Sequence, residues 1–137
     1  MELVVDSNCL LSALIRPAKS RELLCSQKVR FFAPEHIIIE AVNHKKDVLE
    51  KSGITDAEFD QLIGILISNI NIVPQDEFQH YENQAKEFVT HNEDIPFIAL
   101  ALARRMPLWT DDKDLHKQSV VKVYSTTELL KELGLLQ

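Results

Sequence analysis

Glu2-Leu3-Val4-Val5-Asp6-Ser7-Asn8 passes from a short apolar run straight into an acid and two residues that favour helix starts. An unalternating run of this kind predicts a strand over residues 2–6 that is buried on both faces, as parallel sheets are. A helix is predicted to follow at once, over about 8–15, because Asp6, Ser7 and Asn8 are all good caps. Asp6 therefore has two readings. As a cap it needs no further explanation; as the acid at the carboxyl end of a parallel strand it stands where such sheets bind ligands.

The same alternation of short strand and longer helix continues along the chain. A second helix is predicted over 19–28 after Pro17, and a second strand over 29–33. Pro34 is expected to open a helix of three or four turns with Ile37, Ile38, Ala41, Val42 and Val48 on its apolar face. Gly53 breaks the chain, and Thr55-Asp56-Ala57-Glu58 resembles a capping box ahead of Phe59, Leu62, Ile63, Leu66 and Ile67. Further strands are predicted over 70–73, 107–110 and 120–124. Helices are predicted over 74–89, 95–105 and 126–134, the last closed by Gly134. Strand and helix in this order predict an α/β fold: a central, mostly parallel sheet of about five strands flanked by helices in three layers.

The 137 residues fit a single domain spanning 1–137, large enough to bury a core without disulfide or structural zinc. Cys9 and Cys25 lack CxxC spacing and are expected to be a buried, reduced pair, which suits a cytoplasmic protein. The amino-terminal stretch lacks the basic flank and apolar run of a signal peptide, and no run is long enough to span a membrane, so a soluble intracellular protein is expected. The net charge of −6 argues against nucleic acid as a partner, yet acids gathered in one cleft would account for most of it. Basic residues at Arg16, Lys19 and Arg21, at Lys45 and Lys46, at Arg104 and Arg105, and at Lys113 and Lys117 read more readily as a solvated face than as phosphate contacts, and permit a nucleic-acid substrate without indicating one.

Three further acids sit in apolar surroundings. Glu40 interrupts a helix of isoleucines; His36 and His44 lie four residues to either side, so a zinc site from these three is conceivable although they spread over two turns. Asp94 precedes Ile95-Pro96-Phe97 and is positioned to cap that helix. Asp111, Asp112 and Asp114 compete for a place after Leu108-Trp109-Thr110, with a plain charged turn as the alternative. Two carboxylates about 4 Å apart repel by about 4 kcal/mol at an effective dielectric near 20. A cluster of four therefore demands protons or a cation, and oxygen-only ligation with retained water suits Mg²⁺ or Mn²⁺. Only three glycines are present and none forms a phosphate loop, which disfavours nucleotide triphosphate chemistry.

Taken in order, Val4-Val5-Asp6-Ser7-Asn8, Ala33-Pro34-Glu35-His36-Ile37-Ile38-Ile39-Glu40, Asp94-Ile95-Pro96-Phe97-Ile98-Ala99-Leu100-Ala101 and Trp109-Thr110-Asp111-Asp112-Lys113-Asp114-Leu115 resemble a PIN-domain nuclease, over about residues 2–125. The resemblance implies a PIN-like sheet with acids at one edge and divalent-metal-dependent endonucleolytic cleavage of single-stranded RNA. Asp6, Glu40 and Asp94 match the three main acids. Asp112 matches the fourth, with Asp114 as accessory or substitute, and Asn8 and Thr110 match polar positions that orient the first and last acids. It further implies Asp6 and Asp94 as direct ligands of Mg²⁺ or Mn²⁺, Glu40 direct or through water, and Asp112 completing the site. Arg16, Lys45 or Lys113 would hold flanking phosphates. Many relatives are toxins of virulence-associated toxin–antitoxin pairs and many are dimers, so an antitoxin partner and a homodimer are implied as well. A catalytically weak PIN-like module that binds RNA or protein is the rival; it would have lost one or more acids, and none is missing.

Overall fold

In the computed structural model, which describes residues 1–135, β1 (Glu2–Val5) buries every residue after Glu2 and carries the chain into α1 (Ser7–Ile15). Then follow α2 (Lys19–Leu24), β2 (Arg30–Pro34), α3 (His36–Asn43), α4 (Lys45–Ser52), α5 (Asp56–Ser68) and β3 (Ile70–Val73). The second half comprises α6 (Glu82–Ala85), α7 (Ile95–Arg104), β4 (Leu108–Trp109), β5 (Val123–Tyr124) and α8 (Thr126–Glu132).

The five strands form one sheet in the order β3-β2-β1-β4-β5, and every pairing is parallel. From β1 the chain builds outward through β2 and β3, then returns to add β4 and β5 on the other side of β1. The strand order thus reverses between β1 and β4, and a ligand-binding crevice opens at the carboxyl ends beside such a reversal. Register brings the ends of these two strands together: Val5 lies opposite Trp109, and the Asp6 N–H donates to the Trp109 carbonyl at 3.0 Å.

Helices flank the sheet. α7 packs against β1, β2, β4 and α6, while α1 packs against α2, α3, α4 and α5. Between them the apolar side chains form one core, with Phe31, Trp109 and Phe97 fully buried. α7 explains itself: Pro96 lies in its first turn, where a missing N–H is harmless, and Ile95 to Ala101 are all buried. The Thr55–Glu58 capping box is formed, with reciprocal bonds of 3.0 and 3.1 Å. Gly134 follows α8 in a left-handed conformation, φ 71°, as a helix-ending glycine does.

Several expectations fail locally. Pro34 ends β2, opposite Val73, and the helix begins two residues later. The single long helix predicted from Pro34 is two, α3 and α4, broken at His44, whose Nδ1 bonds the Glu40 carbonyl at 2.8 Å. The helix expected over 74–89 is replaced by short 3₁₀ turns and the four residues of α6. Phe78 leaves helical geometry at φ −133° and is fully buried, so core packing overrides the local helical pattern. β4 and β5 have two residues each, shorter than predicted. Cys9 is buried as expected, but Cys25 is exposed just after α2, which ends earlier than predicted; both thiols are free. No helix among the described residues is long and apolar enough to cross a membrane.

Candidate functional site at the carboxyl edge of the sheet

Asp6 lies one residue past β1 and is only 2% exposed. Its Oδ1 accepts from the Ser7 N–H at 2.9 Å, which caps α1, and its Oδ2 accepts from the Thr110 hydroxyl at 2.6 Å. Capping and a site role are therefore compatible, because each oxygen keeps a further lone pair. Thr110, one residue past β4 and fully buried, is the hub of the edge. Its hydroxyl donates to Asp6 and accepts from Asn8 Nδ2 at 3.2 Å and from the Asp112 N–H at 3.1 Å.

Asp94 stands at the amino end of α7, but its side chain caps nothing, contrary to the expectation of an N-cap. Instead its Oδ2 is buried without any hydrogen-bond partner, as is Oδ1 of Asn8. Glu40 is half-buried on α3, with the Ser7 side chain near enough to stabilise its charge. Asp112 accepts from the Asp114 N–H at 2.9 Å.

These acids act on one another. Burial pushes the Asp6 carboxyl up to about 7, with the charges of Asp94 and Glu40 adding to the rise and the Thr110 and Ser7 bonds opposing it. Burial and the neighbouring Asp112 charge push Asp94 up to about 6. Glu40 is raised as well, by burial first and then by Glu93, against the lowering effect of Ser7. Near neutral pH Asp6 and Asp94 are thus held partly protonated for want of a countercharge.

The three aspartates after β4 separate cleanly. Asp111 turns to α8, where both of its oxygens bond Thr126, at 2.7 Å to the N–H and 2.5 Å to the hydroxyl. Asp114 faces Lys117 at 3.2 Å and His91 at 3.7 Å. Asp112 alone of the three lies in the field of Asp94.

Among the described residues, no three His, Cys, Asp or Glu side chains form a ready cage for one ion. The acids share a field without closing on a common point. The His36–Glu40–His44 zinc arrangement is not formed, since the break at His44 turns its ring back onto the α3 carbonyl. An all-oxygen donor set fits a hard cation that keeps several of its waters, Mg²⁺ or Mn²⁺. The unpartnered Asp94 oxygen fits the same demand.

Of the expected phosphate contacts, Lys45 is already committed, 3.0 Å from Asp56, 3.4 Å from Asp60 and over the Phe59 ring. Arg16 and Lys113 are exposed and make no ion pair among the described residues. Ser7 and His91 were not singled out by sequence as site residues. Ser7 follows the first acid directly, a position whose backbone and side chain both reach the edge; His91 lies in a polar turn that carries no local signal.

An α/β protein with acids at the switch point of a parallel sheet is a recognisable class. The PIN-domain family model matches residues 4–134, and the chain belongs to that family, a family of nucleases. None of the curated proteins compared matches it. Among solved structures the chain is similar to a toxin–antitoxin complex from Klebsiella pneumoniae, at 17% identity and TM-score 0.68, covering 90% of this chain and 97% of that one. It is similar to VapBC2 from Rickettsia felis bound to a DNA fragment from their promoter, at 14% identity and TM-score 0.71, covering 91% and 98%. PAE2754 from Pyrobaculum aerophilum is also similar, at 19% identity and TM-score 0.70, covering 99% and 91%. At these identities the likeness concerns the fold.

Proposed function

We propose that the protein is a divalent-metal-dependent endoribonuclease acting on single-stranded RNA, with Asp6, Glu40, Asp94 and Asp112 as its catalytic acids. One observation carries the reading: Asp6 and Asp94 are raised by burial and by other acids, and one Asp94 oxygen is buried with nothing to bond. Such an edge is neutralised by protons or by a cation, and at neutral pH a cation serves both carboxylates at once.

Asp6 and Asp94 would hold Mg²⁺ or Mn²⁺ directly, with Glu40 and Asp112 reaching it directly or through water. A divalent cation at this position activates water and offsets charge that develops on the phosphodiester. Thr110 fixes Asp6 by donating to its Oδ2, and it ties Asn8 and the Asp112 backbone to the same hydroxyl. The Ser7 N–H fixes Asp6 through its Oδ1, and the Ser7 side chain favours the charged form of Glu40. Arg16 and Lys113 would contact flanking phosphates, and Asp114, with His91 and Lys117, would support the Asp112 turn.

A toxin role within a toxin–antitoxin pair, with an antitoxin protein as partner and a homodimer as the assembly, extends the proposal. Its support is the fold likeness to two toxin–antitoxin complexes and the apolar face of α3, where Ile39 and Val42 are 57% and 56% exposed. The test is cleavage of single-stranded RNA in Mn²⁺ by the wild type, Asp6→Asn and Asp94→Asn. Activity confined to the wild type supports the assignment; equal activity in all three rejects it.

A further inference from the structure

Adjoining the acid cluster and sharing Glu40 with it, a cleft of about 320 Å³ opens between α3, α6 and the start of α7. Ile39, Ile95 and Pro96 form apolar walls, and Glu40, Glu93, Lys86 and Asn92 stand among the polar groups of its lining. His36 lines it too, and its buried Nδ1 has no partner. The volume lies at the small end of ligand sites, about 300–1,000 Å³, which suits a planar ring better than a peptide segment.

The lining selects by charge. Glu40, Glu82 and Glu93 face a single lysine, so a phosphate is disfavoured inside while a neutral ring bearing N–H donors is welcome. An arginine side chain also matches acids and apolar walls, but a guanidinium only donates and leaves the Lys86 and Asn92 donors unserved. A nucleobase offers both functions on one edge. Guanine does so best, with an amino donor for a carboxylate and an O6 acceptor for Lys86 or Asn92. Uracil flanks its ring N–H with two carbonyl oxygens, which carboxylates repel.

We propose that this cleft is a nucleobase pocket that takes guanine in preference to uracil, from the nucleotide beside the scissile phosphate. Its place next to the scissile phosphate rests on the ribonuclease reading, because Glu40 belongs to both the cleft and the acid edge and Glu93 adjoins Asp94. Unpaired bases are the part of single-stranded RNA that protein pockets read.

The test titrates the full chain with 5′-GMP and, separately, 5′-UMP in chelator, where no phosphate–cation contact contributes. Binding is read from the Ile39 and Ile95 methyl and His36 ring NMR signals. GMP is expected to shift all three and to bind about tenfold more tightly than UMP, the discrimination typical of one matched base edge. Lys86→Glu, at an exposed position of the lining, is expected to abolish these shifts with an unchanged melting temperature. No shift at these residues, equal affinity for the two nucleotides, or displacement of GMP by N-acetylarginine amide at equal concentration overturns the pocket. The readout needs no cleavage. GMP-selective shifts in a protein that leaves RNA intact would therefore support the pocket while sinking the ribonuclease reading, and cleavage without shifts would do the reverse.

Discussion

Asp6→Asn separates a catalytic acid from a structural one, because the two roles predict opposite effects on stability. The wild-type carboxyl is raised from 3.8 to about 7 in the folded protein. A group raised on folding contributes its full stability below its unfolded value and loses it as pH climbs through the folded one, here between about 4 and 7. At roughly 1.4 kcal/mol for each tenfold change in proton affinity, the buried charge costs about 4 kcal/mol at pH 8 and about 1.5 kcal/mol at pH 5. Asparagine removes that charge but sets an N–H against either Ser7 N–H or the Thr110 hydroxyl, which already accepts twice. Losing one such bond to a charged group costs about 1.5–3 kcal/mol. The variant should thus gain about 1–3 kcal/mol at pH 8, a melting rise of roughly 3–10 °C for a chain of this size, and gain nothing or lose slightly at pH 5. Thermal melts in chelator at the two pH values measure this directly. Adding millimolar Mn²⁺ should raise the wild type alone, since only it binds the ion in the folded state. A variant less stable than the wild type at pH 8 in chelator would refute the buried-charge reasoning.

Thr110→Val should destabilise by about 2–3 kcal/mol in urea unfolding, because it strands Asn8 Nδ2 and the Asp112 N–H beside Asp6, while Thr110→Ser should keep most of that stability. Asp111→Ala and Asp112→Asn should divide: the first loses about 1–2 kcal/mol of stability with its Thr126 bonds and keeps RNA cleavage, and the second keeps stability and loses cleavage. If Asp111→Ala abolishes cleavage while remaining folded, the fourth acid is misassigned.

The edge of the sheet was legible because its signals are local. A buried strand ending in Asp6, and a second ending in Thr110 ahead of three aspartates, need only strand pattern and cap chemistry to be read. Parallel pairing follows from apolar strands spaced by helices, and α7 from Pro96 and an unbroken apolar run. What stayed hidden depends on partners distant in sequence. Phe78 breaks the predicted helix over 74–89 because the core claims its ring. Lys45 looks free until α5 brings Asp56, Asp60 and Phe59 to it. Asp111 and Asp112 are neighbours in sequence, and only the docking of α8 shows that Thr126 takes the first. The unbonded Asp94 oxygen is likewise invisible in a sequence whose capping grammar assigns that side chain to α7.

Anomalous diffraction from a crystal soaked in Mn²⁺ tests most directly whether these acids share a cation. A single strong peak within direct or one-water reach of Asp94 Oδ2 and of Asp6, lost in Asp94→Asn, is the predicted result. A well-ordered edge with no peak there, or Mn²⁺ bound only at other carboxylates, would contradict it.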